Sequence, residues 1–180
     1  MIDVVNVSRL VSAFDAPGDG AALKSAELVL LLLSAANDPF SRTNFSPGHI
    51  TCTGLVLAPD GVRVLAVHHR CLDRWLLPGG HVEAPDEEIA SAARREVQEE
   101  TGVELDGDWR SELVGIDVHG IPSNGREPYH LHHDLLFLLR AGSEAIRVSE
   151  ESNHVRWLRP EEFEGYGIPE NVRRAYARST

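Results

Sequence analysis

Alternating and continuous apolar runs divide the chain into strand-like and helix-like segments. Apolar residues at helical spacing predict helices at 4–14, 21–36, 86–101, 160–163 and 169–178. Short apolar runs predict strands at 50–58, 62–68, 75–78, 113–119, 131–140 and 155–158. The first two strands flank Pro59-Asp60-Gly61, a sequence that favours a tight turn. Because strands and helices are interleaved, we expect the fold class to be α/β (or α+β), with a mixed sheet covered on its faces.

Individual residues refine two of the predicted helices. Asp86 is a suitable N-cap for the helix at 86–101, and Gly102 suits the left-handed position just beyond its end. The helix at 21–36 carries leucines whose spacing is compatible with packing against a core. These leucines are Leu23, Leu28, Leu31 and Leu32.

The charge balance excludes some classes of partner. The 180 residues include 17 Lys and Arg and 28 Asp and Glu, for a formal net charge of −11. We therefore expect no DNA binding and no association with an anionic membrane. The longest apolar run is too short to span a bilayer, and the sequence MIDVVNVSRL has no signal-peptide pattern. With only Cys52 and Cys71 available, no disulfide framework is expected, which favours a cytoplasmic location.

The segment most informative about chemistry is GGHVEAPDEEIASAARREVQEETGV, at 79–103. On an ideal helix, Glu96, Glu99 and Glu100 fall within an arc of about 100° on one face. Carboxylates this close repel one another unless cations neutralise them, and Mg²⁺ and Mn²⁺ prefer oxygen ligands. The residues alone leave two interpretations open, a solvated acidic face or a divalent-metal site.

The order of these residues resembles the signature of the Nudix hydrolase family. That signature reads G, five residues, E, seven residues, R-E-aliphatic-x-E-E-x-G-aliphatic, and its second half matches at every fixed position from Arg95 onward. The first half departs from it. A five-residue gap after Gly80 leads to Asp86, whereas a seven-residue gap before Arg95 leads back to Glu87. The loop thus carries one extra residue, and we interpret Glu87 as a structural partner of Arg95, with Asp86 and Glu88 as alternatives.

The resemblance implies a fold and a division of the chain. The family fold is an α/β/α sandwich with a mixed sheet, which we assign to residues 49–180. Residues 1–48 form an N-terminal helical extension that the signature does not explain. Its helices offer a surface for a homodimer.

The resemblance also implies an activity: a hydrolase, dependent on Mg²⁺ or Mn²⁺, that cleaves the pyrophosphate linkage of a nucleoside diphosphate joined to another moiety. Its partner would be a small nucleotide-type substrate, whose phosphates the metal bridges to the anionic glutamates. The implied metal ligands are Glu96, Glu99 and Glu100, with the carbonyl of Gly80 or Gly79 as an additional ligand. Arg95 would hold the carboxylates in place. The general base would be a glutamate of the signature or one of a later loop, which gives as candidates Glu99, Glu100, Glu150 and Glu151. Glu150 and Glu151 are also candidates for an extra metal ligand.

Several residues are candidates for contact with substrate. His130, His132 and Asp134 share one face of a strand by alternation. This face is open to three interpretations: a polar surface, a lining of the substrate cleft, or a transition-metal site, because imidazole suits Zn²⁺ or Fe²⁺. Tyr129 is a candidate for stacking on a base. The predicted substrate-binding residues are Gly79, Gly80, His81, Tyr129, His132 and Asp134.

Two other functions are compatible with a Nudix-like domain. A non-catalytic nucleotide sensor would be expected to lose one of the three glutamates, and none is lost. A diphosphate isomerase would need an active-site Cys–Glu pair, and the sequence shows no partner for Cys52 or Cys71.

Overall fold

A mixed sheet forms the centre of the molecule. The computed structural model describes residues 1–180 and contains seven strands in one sheet. They are β1 (Gly48–Leu57), β2 (Val64–His69), β3 (Arg74–Leu76), β4 (Gly79–His81), β5 (Glu112–Ile121), β6 (His130–Arg140) and β7 (Ser152–Leu158). The strand order is β3-β2-β1-β6-β5, with β4 also paired to β1 and β7 to β2. The β1–β6 pair is parallel and the others are antiparallel, so the sheet is mixed as predicted.

Helices cover both faces of this sheet. They are α1 (Val4–Ser12), α2 (Gly20–Ala35), α3 (Ile89–Thr101) and α4 (Glu170–Ser179), with a 3₁₀ turn at Pro160–Glu162. Alternation along β1 sends Val56 into one apolar cluster with Val97 of α3, and Leu55 into another with Val172 of α4. The predicted α/β sandwich is confirmed. No helix combines the length and apolar character that crossing a membrane requires.

The start of α3 differs from the prediction. The helix begins at Ile89 rather than at residue 86, and Glu88 occupies the N-cap position without a side-chain hydrogen bond. The prediction of Asp86 as the N-cap is therefore wrong. The Asp86 carboxylate instead accepts a hydrogen bond from the Glu83 amide at 2.8 Å. Gly102 does lie at the end of the helix in the left-handed region, with φ of 61°.

The burial of the leucines of α2 also differs from the prediction. Leu32 is buried as expected, whereas Leu23, Leu28 and Leu31 are exposed. The buried face of α2 contains Ala22, Ser25, Ala26, Val29, Leu32 and Leu33. Because α2 is apolar on most of its surface, spacing alone does not tell which side faces the core.

The N-terminal helices share the core of the sheet. Val7 of α1 and Val29 of α2 belong to the same apolar cluster as Ile50 of β1 and Val97 of α3. The boundary at residue 48 between extension and domain stays a prediction.

Asp19 ties this segment to the last helix. Its carboxylate is 4% exposed and accepts hydrogen bonds from the Ala22 amide at 3.1 Å, Arg174 at 3.0 Å and Arg178 at 2.7 Å. Burial by itself would raise the pKa of Asp19, but these hydrogen bonds outweigh it and the pKa is lowered. The resulting stabilisation is therefore present above the pKa of the unfolded chain and is lost as the pH falls through the lower, folded value.

We expect Asp19→Ala to lower the free energy of unfolding by about 2–4 kcal/mol, because it removes a helix cap and one partner of a buried ion pair. Urea denaturation near neutral pH measures this loss. Asp19→Asn is the matched control, since asparagine still caps a helix but carries no charge. Its deficit should be smaller and should shrink in acid, where the wild-type carboxylate becomes protonated. Equal stability of Asp19→Ala and the wild type would contradict the prediction.

Candidate functional site

The three glutamates of the signature lie at one end of α3 beside β4. Glu100 accepts a hydrogen bond from the Gly79 amide at 3.3 Å. Gly80 lies directly against Glu96, since a Cβ atom at Gly80 would stand 2.7 Å from a Glu96 carboxylate oxygen. Glycine at this position thus lets the strand approach the carboxylate closely. The structure brings together Glu96, Glu99, Glu100, Gly79 and Gly80, as the sequence predicts.

The electrostatics of these carboxylates are unfavourable without a cation. Glu99 is 58% exposed, but Glu100 is only 9% exposed and forms no salt bridge with an arginine or lysine. Burial raises the pKa of Glu100 to about 8, and the neighbouring charges of Glu96 and Glu151 add to the increase. Burial also raises the pKa of Glu96. This set of crowded oxygen donors, with a glycine strand packed against it, fits a divalent cation.

Arg95 forms hydrogen bonds with two of the three carboxylates and with groups next to them. Its guanidinium donates to Asp86 at 3.2 and 3.0 Å, to Glu96 at 3.0 Å, to Glu99 at 3.0 Å and to the His81 carbonyl at 2.8 Å. Burial acts to raise the pKa of Asp86, but the hydrogen bonds from Arg95 and Glu83 outweigh it and lower that pKa. All five donated bonds therefore end on groups that surround the glutamate face.

The partner of Arg95 is Asp86, which corrects our interpretation of Glu87. Glu87 and Glu88 are exposed and form no salt bridge, whereas Asp86 is buried against the guanidinium. The segment that carries Asp86 lies before the helix, which begins only at Ile89. The short carboxylate of Asp86 can then turn back toward Arg95, which a residue on the helix itself at that distance could not do.

The two later glutamates differ in their relation to the site. Glu150 and Glu151 are both exposed and lie in the turn immediately before β7. The charge of Glu151 contributes to the raised pKa of Glu100, and that of Glu150 does not figure among its main causes. Glu83, which we did not predict as a site residue, similarly contributes to the raised pKa of Glu96. Its only sequence signal is its place in the loop after Gly80.

Three histidines gather on the other side of β4. The rings of His49, His81 and His132 lie with centroids 4.9 to 5.3 Å apart. His81 and His132 were predicted near the substrate, but His49 was not predicted at all. A single histidine at the start of a strand gives no pattern in the sequence. It reaches the others because the parallel register of β1 and β6 pairs it with His132.

The remaining predicted substrate contacts lie around this cluster. Asp134 accepts hydrogen bonds from the hydroxyls of Thr51 and Thr53, each at 2.9 Å, and burial raises its pKa. Tyr129 is exposed, and its ring packs over Gly120 of β5. Their roles in substrate binding stay predictions.

Comparison with known proteins identifies the family. A model of the NUDIX domain matches residues 48–178. A MutT-like protein of Streptomyces ambofaciens is 32% identical over 149 residues, which cover 81% of this chain and 83% of that protein. A probable DHNTP pyrophosphohydrolase of Lactococcus lactis subsp. cremoris is 28% identical over 149 residues, covering 80% and 86%.

A solved structure shows the same fold. The crystal structure of a MutT NUDIX hydrolase from Burkholderia pseudomallei matches with a TM-score of 0.57 at 24% identity, covering 73% of this chain and 97% of that one. Together with the glutamate face of α3, the family match confirms the predicted class of enzyme. This chain belongs to the Nudix (MutT-like) family, hydrolases that act on pyrophosphate bonds.

Proposed function

We propose that this protein is a divalent-metal-dependent pyrophosphohydrolase that cleaves the pyrophosphate linkage of a nucleoside diphosphate joined to another moiety. The observation that carries the proposal is the complete set of Glu96, Glu99 and Glu100 on one face of α3, packed against the glycines of β4. Such a face needs cations beside it, and a pyrophosphate substrate needs cations as well. The name of the Lactococcus relative, a pyrophosphohydrolase, supports the same class of bond.

We assign Mg²⁺ or Mn²⁺ to Glu96, Glu99, Glu100 and the Gly80 carbonyl. The ion, when bound, neutralises phosphate charge and acidifies a water molecule. Arg95 positions two of the carboxylates by direct hydrogen bonds, and the Gly79 amide orients the third. Each side chain is thereby fixed before substrate arrives, which lowers the cost of organising the site during the reaction.

For the general base, we propose Glu151 from the later loop in preference to Glu150. The supporting observation is electrostatic, since the charge of Glu151 acts on Glu100. Glu99 and Glu100 stay the candidates within the signature itself. We place the nucleotide on the side of Gly79, Gly80 and His81, toward the strand that carries His132 and Asp134, with Tyr129 available to stack on a base.

The alternative is a non-catalytic nucleotide sensor, which would be expected to lose one of the three glutamates. All three are present, and Arg95, held by two hydrogen bonds to Asp86, bonds both Glu96 and Glu99. These contacts support the hydrolase over the sensor.

A screen of small nucleotides tests the proposal. We expect product formation from at least one class among nucleoside triphosphates, ADP-ribose-like compounds, dinucleoside polyphosphates and sugar nucleotides, in Mg²⁺ or Mn²⁺ and not in excess chelator. Chromatography should show two products, each of which carries one of the two phosphates of the cleaved linkage. Calorimetric binding of a nucleotide with no product from any class would instead establish the sensor.

A further inference from the structure

The three histidines on the far side of β4 form a donor set different from the glutamates. Successive residues of a strand point to opposite faces, so Gly80 faces Glu96 of α3 while His81 faces away from it. On that opposite face, His81 pairs with Thr51 of β1, and His49 of β1 pairs with His132 of β6. One ring nitrogen from each histidine lies within 4.8 Å of the other two. The set is made only of nitrogen donors contributed by three strands.

His49 is held as a metal-binding histidine would be. It is 1% exposed, and its Nδ1 donates a hydrogen bond to the Asn44 carbonyl at 3.2 Å. That bond assigns the proton to Nδ1 and leaves a lone pair on Nε2. The Nε2 atom is buried and has no hydrogen-bond partner. Metal-ligating histidines characteristically donate their other ring N–H to a carbonyl in this way.

The other two members of the cluster are also histidines, so the set contains no carboxylate and no lysine or arginine. A neutral imidazole offers a lone pair from one ring nitrogen. Three such rings side by side are therefore suited to a cation.

We propose that His49, His81 and His132 form a binding site for Zn²⁺, separate from the glutamate site. Zinc prefers imidazole nitrogen and accepts three protein ligands with the fourth position open. Nitrogens around a tetrahedral zinc stand roughly 3.4 Å apart, given Zn–N bonds of about 2.1 Å. Closing the observed spacing takes shifts of about 1 Å, which rotation of the half-buried side chains of His81 and His132 supplies.

A zinc ion at the histidines would also restrain the part of β4 that contacts the glutamate site. It would fix β4 to β1 and β6 at the residue that follows Gly80, and the carbonyl of that residue, His81, accepts a hydrogen bond from Arg95. The proposal rests on the histidines alone and not on the hydrolase activity.

Cobalt titration of the metal-stripped protein tests the site. Co²⁺ absorbs visible light strongly in a tetrahedral nitrogen site and only weakly among six oxygen ligands, so the spectrum separates the histidines from the glutamates. We expect an intense band that saturates at one equivalent of Co²⁺ and disappears when Zn²⁺ is added. We expect His132→Gln and His49→Gln to lose this band and to bind Zn²⁺ at least about 100-fold more weakly.

Two further variants isolate the cause. His154→Gln changes an exposed histidine outside the cluster and should keep the band, while Glu99→Gln/Glu100→Gln should keep it even if hydrolysis is lost. His132 is half-buried rather than part of the closed core, so its variant is expected to fold, and circular dichroism checks this. A wild-type protein without the intense band, or a folded His132→Gln that retains it, would overturn the proposal.

Discussion

Replacing Glu99 and Glu100 together by glutamine should lower kcat at least about 1000-fold, a loss of about 4 kcal/mol of transition-state stabilisation. Glutamine has the shape of glutamate but no charge, so it neither holds a divalent ion nor serves as a base. The fold should remain intact, because Glu99 is largely exposed and a glutamine at residue 100 can still accept the bond from Gly79. Steady-state kinetics with saturating Mg²⁺ and the best substrate of the screen measure the effect.

Thermal unfolding of the same variant separates loss of metal from loss of fold. Since the pKa of Glu100 is raised in the folded state, its negative charge opposes folding near neutral pH. The double variant should therefore melt at or above the wild-type Tm without metal. The wild type should gain Tm with millimolar Mg²⁺ by linkage, and the variant should not.

A matched pair of charges provides the control. Glu87→Gln/Glu88→Gln removes two exposed carboxylates just before the same helix, where neither forms a salt bridge. This variant should keep the wild-type kcat and the Mg²⁺-dependent gain in Tm. Near-normal turnover by the Glu99/Glu100 variant would refute the assignment of the metal site.

Local periodicity was sufficient to predict the glutamate face. Glu96, Glu99 and Glu100 lie within a single helix, so their relation depends only on the helical repeat. The α/β class and most of the strands likewise follow from the pattern of apolar residues. The sandwich itself was implied by the family resemblance, and β4 (Gly79–His81) lies outside every predicted strand. The first residue of α3 could not be predicted in the same way, because it depends on the path of the preceding loop, which has one residue more than the signature. Asp86 therefore could not be assigned to Arg95 by counting along the chain.

The histidine cluster shows a different limit. His49 and His132 meet through the register of two parallel strands that are distant in the chain. Register is set by the turns and packing of the whole sheet, which no local window contains. The exposed leucines of α2 have a similar cause, since a helix that is apolar on most sides does not specify which side is buried.

Loss of Arg95 should lower both the stability of the protein and its activity. The Arg95 guanidinium bonds four different residues, and one of them, Asp86, is buried. Without Arg95 the Asp86 carboxylate is left buried and unpaired, which costs about 3–5 kcal/mol. Glu96 and Glu99 would also lose the contact that holds their side chains in place. Arg95→Ala should therefore lower both the free energy of unfolding and kcat, the latter by about 10–100-fold at saturating metal.

Arg95→Lys tests whether the site needs the several N–H donors of the guanidinium or only its positive charge. Lysine keeps the positive charge but offers a single nitrogen, so it cannot bond Asp86, two glutamates and the His81 carbonyl at once. We expect a kcat close to that of Arg95→Ala, with part of the stability recovered because Asp86 keeps a cationic neighbour. Urea denaturation and a Mg²⁺ titration of the rate measure the two effects separately, and the concentration of Mg²⁺ needed for half the maximal rate should rise in both variants. A lysine variant with the wild-type rate and metal requirement would mean that Arg95 contributes charge to the site and does not position its carboxylates.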